Sequence, residues 1–241
     1  NQVQEGLMRL GPNNVPILGL AESYQVSPDY RTYTFSLRKN AVWSDGTPVT
    51  SSDFKFAWER ALSPANQYEY AFLFFSIHNA EKFANGEMDF NQVGVTSSDE
   101  KHLTIHLDKP DPNFLSLLTL TPLLPQRSDL VEKYGEEYAS TPESMSFTGP
   151  FVLKTVTPKK AVLIKNSKYW DNKHVKLSEV VVDINVDALK QVALFKSEST
   201  GMTKVSERYA DQFSNSRVIK ISRKLTVDFL EFNQKNEILK N

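Results

Sequence analysis

Residues 32–58 read TYTFSLRKNAVWSDGTPVTSSDFKFAW, and this stretch decides the fold class. Tyr33, Phe35 and Leu37 alternate with Thr32, Thr34 and Ser36, the period of two that turns one face of a strand toward a core. Turn chemistry follows in Lys39-Asn40 and in Ser44-Asp45-Gly46-Thr47-Pro48, where Gly46 is free to take positive φ and Pro48 stops regular pairing. Ser51 or Ser52 can cap a helix and Asp53 suits its first turn. Phe54, Ala57, Trp58 and Ala61 then recur at helical spacing until Pro64 forbids continuation. A half-buried strand, a tight turn and an amphipathic helix thus follow in direct succession; with the three strands and a helix read after Gly149, an α/β chain is predicted.

Working outward, Tyr68-Glu69-Tyr70-Ala71-Phe72-Leu73-Phe74-Phe75 is aromatic on every face. That pattern fits either plain core or a partly exposed binding wall, and core is the preferred reading. Glu81 to Asn85 reads as a short helix ended by Asn85-Gly86, and Leu103, Ile105 and Leu107 alternate as a second strand. Asn113 to Leu118 and Leu130 to Tyr138 read as helices on either side of the turns at Pro122 and Pro125. After Phe147-Thr148-Gly149-Pro150 the pattern changes. Strands are predicted over Phe151 to Val156, Ala161 to Lys165 and Val180 to Ile184, with a helix from Asp187 to Lys196. This shift places an expected boundary near Gly149.

Composition narrows the partners. A chain of 241 residues with 40% hydrophobic and 24% charged side chains can bury a sizeable core. Its formal net charge of −1 supplies no basic stripe for nucleic acid or an anionic membrane. With no cysteine there is no disulfide framework, thiolate nucleophile or Cys-based zinc site. No apolar run reaches the roughly 20 residues of a membrane span. The chain begins at Asn1 without a basic n-region, so it is expected to start after any export signal.

Catalytic signatures are missing from the sequence. No Gly-rich phosphate loop, Gly-x-Ser-x-Gly elbow or His-Glu-x-x-His motif occurs, and His78, His102, His106 and His174 stand in unrelated local contexts. His102 and His106 share a strand face but lie roughly 13 Å apart by strand rise, too far for a shared metal. Acidic neighbours such as Asp108 and Asp111, or Glu136 and Glu137, flank prolines or sit on a polar helix, the ordinary setting of solvated charge. The sequence therefore predicts no enzyme, no metal and no cofactor.

A resemblance joins these readings. Ala21-Glu22-Ser23, Tyr33 to Arg38, Trp43 to Thr50, Asp53-Phe54 and Trp58 recur in fixed order. Glu5-Gly6-Leu7, Leu62-Ser63-Pro64, Thr148 to Phe151, Asn166-Ser167-Lys168-Tyr169-Trp170 and Phe232-Asn233 follow in register. Together they resemble the signature of family 5 extracellular solute-binding proteins, which take up oligopeptides, dipeptides, nickel chelates and related solutes for ABC importers. The resemblance implies a periplasmic-binding-protein-like type II fold in which two lobes close on the solute. This chain would hold part of it: the inserted α/β subdomain at 5–148 and part of lobe I at 149–241, with the second lobe absent.

By the same resemblance, the function expected is capture of oligopeptides outside the membrane and their delivery to ABC permease subunits. The protein would be a cell-surface lipoprotein or periplasmic, touching membrane only through a lipid anchor outside this chain. A dipeptide, a signalling peptide or a nickel chelate is the alternative solute, and a hydrolytic enzyme the alternative class. Ligand contacts are expected from Tyr70, from Lys204, Val205 and Ser206, and from Phe229 and Glu231 on a strand leading to the hinge. Trp43, Asp45-Gly46, Asp53 and Tyr169-Trp170 are read as scaffold. One departure stands out: relatives commonly show Ser-Gly-Glu-x-Asp after the helix, whereas Ser197 is followed here by Glu198-Ser199-Thr200-Gly201.

Overall fold

The computed structural model describes residues 2–213. These fall into two compact units, the first running to Asn185 and the second starting at Val186. The first unit opens with a hairpin of β1 (Met8–Leu10) and β2 (Pro16–Leu18). A four-stranded antiparallel sheet follows, built from β3 (Ala21–Val26), β4 (Thr32–Leu37), β5 (Val95–Asp99) and β6 (His102–His106) in the order β3-β4-β6-β5.

The alternation in β4 sets the register. Tyr33 lies opposite Ile105 and Phe35 opposite Leu103, and all four side chains are buried, so one sheet face is entirely apolar. A one-residue slip would turn every one of them to solvent. Helix α1 (Ser51–Leu62) contributes Phe54, Ala57, Trp58 and Leu62 to the same core, with Phe54 and Trp58 packed edge to face at 6.4 Å. Trp58 also donates its indole N–H to the Leu123 carbonyl at 3.1 Å. That bond satisfies the one polar atom a buried tryptophan carries.

The turn between β4 and α1 is closed by Trp43 N–H to Thr47 O and Gly46 N–H to Trp43 O, both at 2.8 Å. Gly46 sits at φ +92°, where a side chain would be strained. Trp43 is fully buried, and its indole N–H donates to Asp53 Oδ2 at 3.2 Å. The same carboxylate oxygen accepts the Thr50 N–H at 2.8 Å. The helix cap is therefore Thr50, one residue before the predicted Ser51 or Ser52, because Asp53 at the third helical position reaches back to it. Ser51 instead buries its hydroxyl against Ser97 and the Asp99 carbonyl.

Short elements close this part of the unit: α2 (Ala80–Ala84), α3 (Phe114–Leu117) and α4 (Ser128–Tyr134). α4 stops at Tyr134 rather than Tyr138, because Gly135 takes φ +54° and starts a separate 3-10 turn over Gly135–Glu137. The remaining strands, β7 (Phe151–Val156), β8 (Lys160–Lys165) and β9 (Glu179–Asp183), form an antiparallel sheet in chain order. The second unit contains α5 (Ala188–Lys196), capped by Asp187, whose Oδ1 accepts the Lys190 N–H at 2.8 Å, and a 3-10 stretch Glu207–Phe213.

Around Gly149 the chain is bound into the first unit. Val3 O accepts the Gly149 N–H and Gln2 O the Phe151 N–H, both at 3.0 Å. A Cβ on Gly149 would lie 2.6 Å from the Val3 carbonyl carbon, so only glycine allows this approach. Contact density thus divides the chain after Asn185, and residues 149–185 pack with those before them.

Trp43 joins turn, cap and core, so its loss should be felt throughout. Trp43→Ala is expected to cost about 3–5 kcal/mol in urea unfolding. A cost below about 1 kcal/mol would show that the ring does not hold this junction.

Candidate ligand-binding site

The aromatic run after α1 divides by face. Ser63-Pro64 ends the helix, Gln67 turns the chain at φ +45°, and Ala71–Phe74 form a single 3-10 turn. Phe74 and Ile77 are fully buried: Phe74 packs edge-on to Trp58 at 6.1 Å, and Ile77 bridges to Leu107. With the segment anchored on that side, Tyr68, Tyr70 and Phe72 remain 38%, 46% and 58% exposed. Their rings form a ladder, Tyr68 to Tyr70 at 5.7 Å and Tyr70 to Phe72 at 6.3 Å. Preference for plain core is thus correct for Phe74, whereas Tyr68, Tyr70 and Phe72 form a wall.

At the Tyr68 end the ladder borders an open groove of about 370 Å³ lined by Arg60, Asn66, Tyr68, Thr121, Pro122 and Gln126. Arg60 donates from Nη1 to Gln126 Oε1 at 3.1 Å, and Asn66 Nδ2 donates to the Arg60 carbonyl at 2.6 Å. Burial, with Tyr70 and Glu69 adding to it, pushes the Tyr68 phenol above its usual range. It is therefore a neutral hydrogen-bonding group at ordinary pH. The groove depends on the reversal around Pro122 meeting the end of α1, a juxtaposition that no sequence period signals.

The remaining predicted contacts lie elsewhere. Lys204, Val205 and Ser206 belong to the second unit, in an irregular stretch that leads into Glu207–Phe213; Lys204 is exposed and the other two half-buried. The Ser206 carbonyl accepts the Tyr209 N–H at 2.9 Å. Phe229 and Glu231 lie outside the described residues. Glu198, where the sequence departs from the expected pattern, sits at φ +59°.

Two other groupings of ionisable side chains are present. Histidines pair singly with neighbouring carboxylates, His78 with Asp108 at 2.6 Å and His102 with Asp99 at 2.8 Å, and among the described residues no three His, Asp or Glu side chains converge. Among the described residues no helix is long and apolar enough to cross a membrane.

Glu5 is the buried carboxylate. Trp170 donates its indole N–H to Glu5 Oε2 at 2.5 Å and Tyr169 its hydroxyl to Oε1 at 2.9 Å. Arg9 stands 3.4 Å from Oε1, and the Arg38 guanidinium stacks 3.7 Å from the Trp170 ring centre. Glu5 is 6% exposed, and Tyr169-Trp170 are its hydrogen-bond partners.

The profile of bacterial extracellular solute-binding proteins, family 5 (middle) matches residues 15–241. The dipeptide-binding protein DppE of Bacillus subtilis is 31% identical over 242 residues, which span 100% of this chain and 44% of that protein. The substrate-binding domain of an oligopeptide ABC transporter from Bacillus anthracis superposes with a TM-score of 0.85 at 36% identity, over 90% of this chain and 42% of that one. Peptide-bound OppA of Listeria monocytogenes superposes with a TM-score of 0.83 at 34% identity, over 90% of this chain and 43% of that one.

The fold is therefore that of a substrate-binding protein, represented in part, and the chain spans less than half the length of these relatives. It belongs to family 5 of the bacterial extracellular solute-binding proteins, a family of binders rather than enzymes.

The buried carboxylate gives a pH test. Burial raises the Glu5 carboxyl above its usual value of 4.5, with the Trp170 and Tyr169 donors and the nearby arginines pulling it back only in part. A carboxyl raised in the folded state favours folding when protonated. Its contribution is full below the unfolded value and is lost as pH rises through the folded value. In urea unfolding, wild type should therefore gain stability relative to Glu5→Gln as pH falls from 7 toward the unfolded value. A difference that does not change with pH would contradict the assignment.

Proposed function

We propose that this chain is part of the oligopeptide-capturing subunit of an ABC importer, which takes up peptides outside the cytoplasm and hands them to the permease. The observation that carries this reading is the exposed ladder Tyr68–Tyr70–Phe72, held out from the core by Phe74 and Ile77. Three aromatic side chains in edge and tilted contact on a firmly anchored segment give a rigid apolar wall that binds side chains of many shapes at little entropic cost. Peptide-named relatives in the same family support the choice of solute.

In the layout that the resemblance implies, residues 5–148 are the inserted subdomain and 149–241 part of lobe I. Lys204, Val205, Ser206, Phe229 and Glu231 then supply further contacts to the peptide backbone, and chain beyond this sequence supplies the rest of the cleft. Anchoring through a lipid and docking on the permease belong to the same proposal. A nickel chelate is the competing solute, and no described group of His, Asp or Glu favours it.

Calorimetry on the natural protein that carries this sequence tests the reading, using di-, tri- and pentapeptides beside a nickel–histidine chelate. Saturable binding of peptides is expected, with the peptide recovered intact. Tyr70→Ala should weaken it about tenfold, the worth of one ring contact. Binding of the chelate alone, or cleavage of the peptide, would overturn the proposal.

A further inference from the structure

The groove at the end of the ladder holds a cation with no carboxylate of its own. Arg9 pairs with Glu5, and Arg127 pairs with both Asp45 and Asp129. Arg60 differs. Its recorded partners are the Gln126 amide oxygen at 3.1 Å and the Tyr138 ring, 5.8 Å from the guanidinium carbon, and among the described residues it makes no ion pair. A guanidinium carries five N–H donors in a planar fork, and one of them is used here. Because Gln126 accepts through its oxygen, its NH₂ group remains as a second donor to the groove, and Tyr68 adds a hydroxyl on the wall.

Guanidinium, carboxamide and phenol between an aromatic and a proline wall suit one planar anionic group, and a carboxylate can take two parallel bonds from the fork. At about 370 Å³ the groove is large enough for one side chain or chain end of a longer ligand. Tyr68 makes the connection, since it both lines the groove and packs 5.7 Å from Tyr70. A peptide lying along Tyr70 and Phe72 would pass a neighbouring group directly over Tyr68.

We propose that the Arg60–Gln126–Tyr68 groove is a carboxylate subsite for the bound peptide, so that the protein selects peptides with an acidic side chain, or the C-terminus, entering beside Tyr68. This rests on the peptide-binding reading above.

The probes are pentaalanines carrying Glu at each position in turn, their Gln counterparts, and free-acid and amide forms of each. They are titrated by calorimetry into the natural protein carrying this sequence and into its Arg60→Gln and Gln126→Glu variants, each checked for an unchanged thermal melt. Wild type is expected to bind at least one acidic form about tenfold more tightly than its neutral counterpart. A Glu-over-Gln preference assigns the groove to a side chain, and an acid-over-amide preference assigns it to the C-terminus. Both variants should lose the preference: Arg60→Gln removes the charge, and Gln126→Glu fills the groove with a competing carboxylate. The second variant keeps Arg60 and so decides the matter even if Arg60→Gln fails to fold. Equal binding of acidic and neutral peptides by wild type, or a preference that survives in either folded variant, overturns the subsite and leaves peptide binding intact. If no pentapeptide binds wild type, the peptide-binding reading falls, and the subsite with it.

Discussion

Glu5 is a carboxylate almost entirely out of water, and the groups that make its position tolerable come from a distant part of the chain: the Trp170 indole, the Tyr169 hydroxyl and, nearer in sequence, Arg9. An ionised group buried without such partners would cost several kcal/mol, so the N-terminal segment and the 166–170 turn are obliged to stay together. Thr148 reinforces the join, its hydroxyl accepting the Glu5 N–H at 2.9 Å. Gln4 bonds the Ser146 carbonyl at 2.6 Å, and Ser146 in turn bonds Ser44 beside the buried Trp43. Through these contacts the first residues, the signature turn and the edge of the second sheet form one continuous seam.

The ladder depends on the same frame. Trp58 sits between Phe54 and Phe74, and Phe74 fixes the 3-10 turn from which Tyr70 and Phe72 project. An exposed aromatic wall persists only if it does not collapse onto its own protein, and anchoring on the opposite face prevents that. Arg60, at the last turn of the same helix, is placed by the same core.

The sequence showed the regular elements well because their signals are local. Tyr33, Phe35 and Leu37 could face one way only as a strand, and Phe54, Ala57, Trp58 and Ala61 only as a helix. Thr50 was missed as the cap because three consecutive hydroxyl residues compete for that role, and the back-bond from Asp53 decides among them. The exposed half of the aromatic run was misjudged for a different reason. A 3-10 turn repeats every three residues, so neither strand nor helix periodicity, both of which put i and i+4 on one face, could separate buried Phe74 from exposed Tyr70. The hairpin at Met8–Leu18 and the strand at Val95–Asp99 went unread because each is short and weakly alternating. The groove was illegible in principle, since Arg60 and Gln126 are far apart in sequence and meet only through tertiary packing.

On the reading proposed above, the exposed ladder and the Arg60 groove belong to a protein that holds a peptide without altering it. The most direct measurement is native mass spectrometry of the natural protein purified without denaturation. The account predicts adducts of peptide mass that are released by acid and identify as intact peptides. A preparation that carries only a metal chelate, or that returns added peptides shortened by hydrolysis, would contradict it.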